Sequence, residues 1–332
     1  MQRVDRDNRD PFEALAECDD FEMRVKRDEP LGRHTSLRIG GPADYWIEVG
    51  TLDGLRAVAR QAEAAGLPRY VVGLGSNVLF PDSGIRGVVV RLVGELAEWQ
   101  IEEEDSESGR ATVQVGAGMV NAHLVRGLLD ASWVGAEFLR LIPGTFGGAV
   151  ALNAGTKEAE LASILEDADL LVRASNGWSV RRMTPDQLEL SYRHSELPEG
   201  SIVVSGRIVV EAGDVAEARA AMQSDRQRRD RTQPYQLASV GSTFANPEGD
   251  YAGRLIDEVG LKGERIGGAR ISETHANFFI NEDDASAEAF LRLMALARQR
   301  VRDAFDVELR PEVRFVGFDG RQRLEQYQRE LC

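Results

Sequence analysis

Three polar side chains stand in surroundings that make them candidates for chemistry. Ser242 lies in GSTF between a glycine and a bulky phenylalanine, Arg193 lies in SYRHS, and Glu312 precedes a β-branched strand-like run. No histidine is within a few residues of Ser242 and no GxSxG pattern surrounds it, which disfavours a serine hydrolase. Each residue alone also has an ordinary explanation: a serine bonded to its own turn, a surface salt bridge, and a solvated carboxylate. A function must therefore come from the elements around them.

Two glycine-rich loops are set inside sequence of core quality. Residues 71–80 read VVGLGSNVLF, and residues 138–155 read FLRLIPGTFGGAVALNAG. Such bends expose backbone N–H groups and let a phosphate or a flat ring approach the backbone closely. One loop of this kind is more often a tight connection between buried elements, but two together indicate a nucleotide site. Neither loop matches GxGxxG or GxxxxGK[ST], so the Rossmann and P-loop folds are disfavoured.

Composition limits the classes of protein that remain. A chain of 332 residues, 42% hydrophobic, can form two or three domains. Its net charge of −15 argues against a nucleic-acid partner, because phosphate contacts need a basic surface. The sequence contains no apolar run near the roughly 18 residues of a membrane span. Its charged N-terminus lacks the apolar segment of a secretory signal, so we expect a cytoplasmic protein without membrane contact.

The cysteines and histidines exclude metal chemistry at the level of sequence. Cys18 and Cys332, both near the termini, cannot form a disulfide framework or a cysteine-based metal site. The four histidines never occur at metal-ligand spacing. Any redox chemistry must therefore come from an organic cofactor.

Periodicity predicts a chain of alternating strands and helices. Residues 1–28 are acidic and weakly periodic, so we expect a mobile extension there. Helices are predicted over 52–65, 121–129, 214–229 and 287–303. Strands are predicted over 70–74, 88–92, 111–115, 170–174, 179–183 and 202–210, with a turn at Asn176-Gly177. The charged helix over 214–229 is interpreted as a connector to a third region that begins near residue 233.

Eight motifs, in one order over residues 31–317, resemble the UDP-N-acetylenolpyruvoylglucosamine reductase family of flavoenzymes. They are HTSLRIGGPA, VVGLGSNVLF, IPGTFGGAVALNAG, YRHS, GSTFANP, LIDEVGLKGERIGGARIS, HANFFIN and RPEVRFVG. The resemblance covers most of the chain, and so many ordered motifs make it specific.

The resemblance implies an α+β protein with a vanillyl-alcohol oxidase-like (PCMH-type) FAD-binding fold in two subdomains and an α+β substrate-binding domain. The subdomains would cover 29–95 and 96–212, and the substrate-binding domain 213–332. The two glycine loops would wrap the diphosphate of a non-covalent FAD. The implied cofactor contacts are Gly73, Gly75, Ser76, Asn77, Leu79, Pro143, Gly144, Thr145, Gly147, Gly148 and Ala149.

The resemblance also implies a reaction. In the family, NADPH reduces the flavin and leaves, and UDP-N-acetyl-enolpyruvoylglucosamine then takes a hydride and a proton to become UDP-N-acetylmuramate, a peptidoglycan precursor. By motif, Ser242 resembles the proton donor, while Arg193 and Glu312 resemble the pair that stabilises charge on the substrate carboxylate. A serine is a weak acid, but an intermediate with carbanion character can take its proton if the geometry is fixed. We expect a monomer.

Three further residues resemble contacts to the sugar nucleotide. Asn246 follows Ser242 in the same loop, Lys262 lies in GLKG, and His275 begins HANFFIN. Lysine is scarce, with Lys26, Lys157 and Lys262 as its only occurrences, although a solvated loop lysine is an equal alternative for Lys262.

Two other functions stay open on the sequence. One is a flavoenzyme of the same fold that oxidises a small alcohol with oxygen as acceptor, against which GSTF, HANFFIN and RPEVRFVG argue. The other is a catalytically silent nucleotide-binding protein, which the presence of Ser242, Arg193 and Glu312 disfavours.

We predict that the FAD is held without a covalent bond. Covalent flavoenzymes of this fold attach the ring through histidine or cysteine, and neither type occurs in residues 71–80 or 138–155. Acid precipitation should leave all of the flavin colour in the supernatant. Colour that stays in the pellet would contradict this prediction and direct attention to His34 and His123.

Overall fold

The computed structural model describes residues 10–331. The α-helices are α1 Pro11–Ala16, α2 Leu52–Ala64, α3 Asn121–Asp130, α4 Phe146–Leu152, α5 Val215–Thr232, α6 Ala252–Glu258, α7 Ala287–Phe305 and α8 Gly320–Arg329. Short 3₁₀ turns lie at Asp19–Phe21, Leu31–His34, Gly94–Ala97, Glu137–Leu141 and Leu161–Ser163. The strands, in chain order, are β1 Met23–Pro30, β2 Pro42–Val49, β3 Arg69–Val71, β4 Val78–Leu79, β5 Ile85–Leu92, β6 Trp99–Asp105, β7 Arg110–Gly116, β8 Trp133–Val134, β9 Leu165–Ala174, β10 Gly177–Met183, β11 Ile202–Ala212, β12 Ala238–Ser242, β13 Arg265–Ile266, β14 Ala269–Ile271, β15 Phe278–Asn281 and β16 Arg314–Phe315.

The first sheet has the order β1-β2-β5-β3. β5 lies at its centre, parallel to both β2 and β3, and its run Val88, Val89 and Val90 is buried, as expected for a strand covered on both faces. α2 connects β2 to β3 and begins where the Thr51 hydroxyl accepts a hydrogen bond from the Gly54 N–H at 3.2 Å. This sheet therefore delivers β3 to the start of the first glycine loop.

The second sheet has the order β10-β9-β11-β7-β6, with β8 paired to β11, and all of these pairs are antiparallel. The predicted Asn176-Gly177 turn joins β9 and β10, and Gly177 has a φ of +124° that favours glycine. α3 and α4 pack on this sheet, and the buried side chains of the first two sheets form one continuous cluster. The second glycine loop follows α3 and includes α4.

The third sheet has the order β12-β15-β14-β13 and packs against α7. The buried face of α7 includes Phe290, Leu293 and Met294. The same hydrophobic cluster contains Leu37, Ile39 and Leu79 from the N-terminal part of the chain. The third region is thus joined to the first by shared core as well as by sequence. The three sheets are consistent with three structural regions, and the domain boundaries given above stay predictions.

The prediction of a mobile extension is wrong from residue 10 onward. Phe12 of α1 is fully buried and its ring lies 4.6 Å from that of Tyr45, while β1 forms an antiparallel ladder with β2 from Met23 to Pro30. The missed signal is local: Asp10 caps α1, with its carboxylate accepting from the Phe12 N–H at 2.9 Å, and Pro11 occupies the first helical position. Residues 1–9 lie outside the described residues.

Most predicted elements are present with shifted ends. The 70–74 strand is shorter, because the chain turns after Val71, and the 170–174 strand begins earlier at Leu165. The connector helix is α5, capped by the Asp214 carboxylate, and contains no fully buried residue. Within residues 10–331, no helix is both long and apolar enough to cross a membrane.

We expect Phe12→Ala to destabilise the protein by about 3–5 kcal/mol, the usual effect of removing a fully buried aromatic side chain. Urea unfolding followed by circular dichroism measures the change. Arg24→Ala on exposed β1 is the matched control and should stay within about 0.5 kcal/mol of the wild type. Equal stability of the Phe12 variant and the wild type would mean that α1 is not part of the core.

Candidate functional site

A short parallel strand pair ties the first glycine loop to the segment that carries Glu312. β4 pairs with β16, and the Arg314 N–H donates to the Asn77 carbonyl at 3.0 Å. The Asn77 side-chain amide donates back to the Glu312 carbonyl at 3.1 Å. The loop over 71–80 and the carboxylate at 312 are therefore fixed to each other, although 235 residues separate Asn77 from Glu312.

The two glycine loops interlock. A Cβ on Gly73 would lie 2.3 Å from the Thr145 hydroxyl oxygen, and the Ser76 hydroxyl donates to the Pro143 carbonyl at 2.6 Å. Gly75 has a φ of +64°, and a Cβ there would lie 2.0 Å from the His34 carbonyl oxygen. Only glycine fits such approaches, so these positions fix how closely the loops meet.

The second loop differs from the bend that the sequence predicts. Residues 146–152 form α4, which places Gly147 and Gly148 in the first turn of a helix. The Gly147 N–H donates to the Ala117 carbonyl at 2.8 Å, and the Phe146 N–H donates to the Met119 carbonyl at 2.8 Å. These two amides are used by the protein and do not form an open nest. The exposed glycine of this loop is instead Gly148.

Arg193 and Glu312 form an ion pair that joins two regions. Arg193 belongs to the region of the second sheet and Glu312 to the region of the third sheet. The Arg193 Nε donates to Glu312 Oε1 at 3.0 Å, and its Nη2 donates to the Gly155 carbonyl at 2.8 Å. Both side chains are more than four-fifths buried. Arg193 has a φ of +56°, uncommon for a residue with a side chain, and such backbone persists where the surroundings impose it. The pair is therefore not the exposed salt bridge that the sequence alone favours for Arg193.

The turn that presents Arg193 is held to the end of α4. The Asn153 amide donates to the Ser191 carbonyl at 3.1 Å, and the Ser195 hydroxyl donates to the Ala151 carbonyl at 2.9 Å. Asn153 is fully buried, and its Oδ1 accepts from the Ala162 N–H at 2.9 Å. The glycine-loop motif ends in NAG and so includes Asn153, but the motif alone indicates no role for this residue. The structure shows it as the support of the Arg193 turn.

Burial dominates the electrostatics of Glu312. It raises the pKa of this carboxyl above its ordinary value, and the Arg193 charge, the Arg193 hydrogen bond and the Arg310 charge lower it in part. The net direction is upward. A carboxyl in this position can hold a proton, and thus donate a hydrogen bond, at a higher pH than a solvated glutamate.

Ser242 ends β12 next to the segment that carries Glu312. The Glu312 N–H donates to the carbonyl of Thr243 at 2.9 Å, which places the residue after Ser242 in direct contact with the Glu312 backbone. The β12–β15 register shifts between Ser239 and Ser242, and Gly241 has a φ of +75°. Such a bulge re-aims the side chain that follows it. Ser242 is half-buried, and its hydroxyl makes no hydrogen bond to any of residues 10–331.

The structure therefore brings the three candidate catalytic residues to one place, whereas the three candidate substrate contacts have internal partners. The Asn246 Oδ1 accepts from the Ala252 N–H at 3.1 Å at the start of α6. Lys262 Nζ lies 2.5 Å from Asp257 Oδ2. Burial, followed by the nearby Lys262 charge, lowers the pKa of His275, whose Nδ1 accepts from the Asn277 N–H at 3.2 Å. Their role toward a substrate stays a prediction.

Comparison with known proteins decides the family. Residues 233–316 match the family model described as "UDP-N-acetylenolpyruvoylglucosamine reductase, C-terminal domain", and residues 43–174 match "FAD binding domain". The chain is 40% identical over 305 residues to the UDP-N-acetylenolpyruvoylglucosamine reductase of Myxococcus xanthus, covering 92% of this chain and 94% of that one. The chain belongs to the UDP-N-acetylenolpyruvoylglucosamine reductase family.

Other relatives agree with this membership. The second reductase of Symbiobacterium thermophilum is 39% identical over 298 residues, which are 89% of this chain and 92% of that one. The crystal structure of the Thermus caldophilus enzyme has a TM-score of 0.73 and 35% identity, and covers 88% of this chain and 99% of that one. The predicted family and α+β flavin fold are confirmed. The match of residues 233–316 to a reductase-specific model also removes the basis for the alcohol-oxidase alternative.

The glycine loops of this reductase-family chain fit a bound FAD. Gly148 is exposed with open space in front of it, since a Cβ there would come no closer than 3.8 Å to the Thr145 hydroxyl. Val71, at the entry to the first loop, is 41% exposed in a chain that buries most of its valines. An open backbone position in one loop and an exposed apolar side chain at the entry to the other suit a diphosphate joined to aromatic rings.

The predicted cofactor contacts differ in how they could serve. Gly73, Ser76, Asn77, Gly144 and Gly147 are half-buried and Pro143 and Gly148 exposed, whereas Gly75, Leu79, Thr145 and Ala149 are buried. Leu79 packs in the third region's core, and its carbonyl accepts from the Val316 N–H at 3.1 Å. Leu79 and Ala149 could meet a cofactor only through backbone atoms. All eleven contacts stay predictions.

The raised pKa of Glu312 predicts a pH dependence of stability. The folded protein keeps this proton where the unfolded chain, with its ordinary value near 4.5, has lost it, so stability present at low pH is lost as the pH rises through the folded pKa. Glu312→Gln cannot ionise. We expect its free energy of unfolding, relative to the wild type, to increase from pH 4 to pH 8 in urea titrations.

The control for this measurement is Glu325→Gln on the exposed face of α8, which should follow the wild type at every pH. A Glu312→Gln difference that stays constant across the range would contradict the raised pKa. A difference that decreases with pH would mean that the Arg193 charge outweighs burial.

Proposed function

We propose that this protein reduces UDP-N-acetyl-enolpyruvoylglucosamine to UDP-N-acetylmuramate through FAD, with NADPH as the electron donor. The observation that carries this proposal is the largely buried Arg193–Glu312 pair beside the strand end that presents Ser242. Family membership supplies the substrate class. The reaction belongs to the synthesis of peptidoglycan precursors, and we infer that it takes place in the cytoplasm in a monomeric enzyme.

The two glycine loops would hold the cofactor. Bound FAD supplies the hydride that is added to the enolpyruvyl double bond. The chain's own part is to fix the loops: Gly73 admits Thr145, Ser76 binds the Pro143 carbonyl, and Asn77 binds the Glu312 carbonyl. These contacts would hold the two cofactor loops and the segment of Glu312 in one arrangement, so that little reorganisation is required when substrate enters.

Ser242 would donate the proton to the substrate carbon next to the carboxylate. Its hydroxyl makes no hydrogen bond within residues 10–331, which would leave its proton available, and the bulge at Gly241 would fix its direction. A serine of ordinary acidity can act only on a strongly basic carbon. In the proposed reaction, negative charge would develop on the carbon next to the substrate carboxylate. The neighbouring Arg193–Glu312 pair would stabilise that charge.

Arg193 and Glu312 would stabilise charge on the substrate carboxylate. The guanidinium stays protonated at all relevant pH and offers a planar set of donors. Its Nε and one Nη nitrogen are used by Glu312 and Gly155, so the remaining donors are available to a ligand. A protonated Glu312 could donate a second hydrogen bond, which its raised pKa favours. Asn246, Lys262 and His275 would contact the sugar nucleotide, Lys262 by exchanging Asp257 for a phosphate.

Ser242→Ala separates the two half-reactions. We expect FAD binding and reduction by NADPH to stay near wild type, because neither needs the hydroxyl. Re-oxidation by the enolpyruvyl sugar should slow by about 10²–10⁴-fold, the usual contribution of a positioned general acid, or about 3–5 kcal/mol of barrier. Stopped-flow absorbance of the flavin, with each substrate mixed separately, measures both rates.

Ser224→Ala, on the exposed surface of α5, is the control and should leave both rates close to wild type. A purely structural Ser242 would weaken substrate affinity more than turnover. Re-oxidation of the Ser242→Ala flavin at the wild-type rate under saturating sugar nucleotide would remove Ser242 from the mechanism.

A further inference from the structure

Three arginines gather beside Glu312 without carboxylate partners of their own. Arg310 and Arg314 flank Glu312, two residues before and two residues after it, and both are exposed. Arg321 lies in the first turn of α8, which packs onto β16 so closely that a Cβ on Gly320 would be 2.3 Å from the Phe315 ring. Among residues 10–331, no carboxylate lies within ion-pair distance of these three guanidiniums.

Two of the three side chains have only weak hydrogen bonds of other kinds, whereas the neighbouring Arg193 is paired with Glu312 at 3.0 Å. Arg310 has one long hydrogen bond, 3.5 Å from Nη2 to the Tyr192 carbonyl, and Arg314 has one of 3.4 Å from Nη2 to the Ala151 carbonyl. Most of their donors are left for a ligand.

Electrostatics shows that the three charges act on one another. Burial, and then the charges of Arg321 and Arg310, lower the pKa of Arg314. Arg321 also lies at the positive end of the α8 dipole, where a cation is unfavourable. Two carboxylates are near: Glu312 is already paired with Arg193, and Asp319 accepts the Gln322 N–H at 2.9 Å as the α8 cap. A cluster of like charges with spare donors is stabilised when an anion binds.

The position of the cluster indicates which anion. Arg310 and Arg314 reach the backbone of Tyr192 and Ala151, so the cluster lies along the same junction that Arg193 and Glu312 cross. Guanidinium groups bind phosphate through paired hydrogen bonds. We propose that Arg310, Arg314 and Arg321 form a phosphate-binding cluster that holds a phosphate of one of the two nucleotide substrates. The choice of ligand rests on the proposed function, since both substrates carry phosphates.

The cluster adjoins one of the phosphate contacts that sequence motifs suggest, because the N–H of Ala245, the residue before Asn246, donates to the Arg310 carbonyl at 2.9 Å. Lys262 is paired with Asp257 and the Asn246 oxygen is used at α6, whereas the three clustered arginines have no carboxylate of residues 10–331 within ion-pair distance. The cluster is therefore the stronger source of positive potential toward an incoming nucleotide.

Isothermal titration calorimetry of the FAD-loaded protein tests the cluster without turnover. The probes are inorganic pyrophosphate, UDP and adenosine 2′,5′-bisphosphate. Arg310→Gln and Arg321→Gln, singly and together, should weaken binding of at least one probe by about tenfold or more, as expected for the loss of a charge-assisted hydrogen bond. Arg323→Gln is the matched control, since Arg323 lies on another face of α8 over the Phe318 ring and should bind every probe like the wild type.

The outcomes separate the sources of the phosphate. A loss confined to UDP assigns the cluster to the sugar nucleotide, and a loss confined to the bisphosphate assigns it to the dinucleotide. Unchanged affinity for all three probes, or an equal loss in Arg323→Gln, overturns the proposal. Because binding is measured directly, a wild type that binds phosphate through the arginines but reduces no enolpyruvyl sugar would contradict the proposed function alone.

Discussion

The parallel pairing of β4 with β16 is the constraint on which the rest of the site depends. It is only two residues long on each side, yet it joins the first glycine loop to the segment that carries Glu312 and is reinforced by the Asn77 side chain. The Ser76 hydroxyl then connects that loop to Pro143, and Arg193 connects Glu312 to Gly155. A closed chain of contacts thus joins the two glycine loops, the segment of Glu312 and the turn of Arg193. We expect a displacement of one of these segments to be passed on to the others.

This closed chain accounts for the electrostatics of the site. Because Glu312 lies where the regions of the second and third sheets meet, it is removed from water, and this burial raises its pKa. The same burial strengthens its hydrogen bond to Arg193. The positive φ of Arg193 is imposed by a turn that Asn153 and Ser195 hold from the C-terminal end of α4. The strained backbone belongs to Arg193, which has a proposed catalytic role. Asn153 and Ser195, which support it, have no such role.

The extent to which sequence predicted this arrangement follows from the range of each signal. Local signals gave α2, α3, α5 and α7, the Asn176-Gly177 hairpin and the glycine loops, because caps, turns and helical spacing are contained within a few residues. Motif order gave the family and brought Ser242, Arg193 and Glu312 forward together. Short-range reasoning also missed a local signal, the Asp10-Pro11 start of α1, whose Phe12 is buried by distant residues. Contacts over long separations, such as Asn77 with Glu312 and the arginine cluster beside them, have no periodicity to reveal them. The glycine-rich sequence predicts a bend at Gly147, because glycine permits one. In the structure Gly147 lies in α4 and packs closely on Ala117, a contact that the local sequence does not indicate.

The central claim is that electrons pass from NADPH to an enolpyruvyl sugar nucleotide through a flavin held between the two glycine loops. An anaerobic titration of the purified protein tests it most directly. The account predicts a yellow protein whose visible flavin band is bleached by a stoichiometric amount of NADPH and restored, without oxygen, by a stoichiometric amount of UDP-N-acetyl-enolpyruvoylglucosamine, with UDP-N-acetylmuramate as the product. A flavin that stays bleached in the presence of the enolpyruvyl sugar and regains colour only when air is admitted would contradict it.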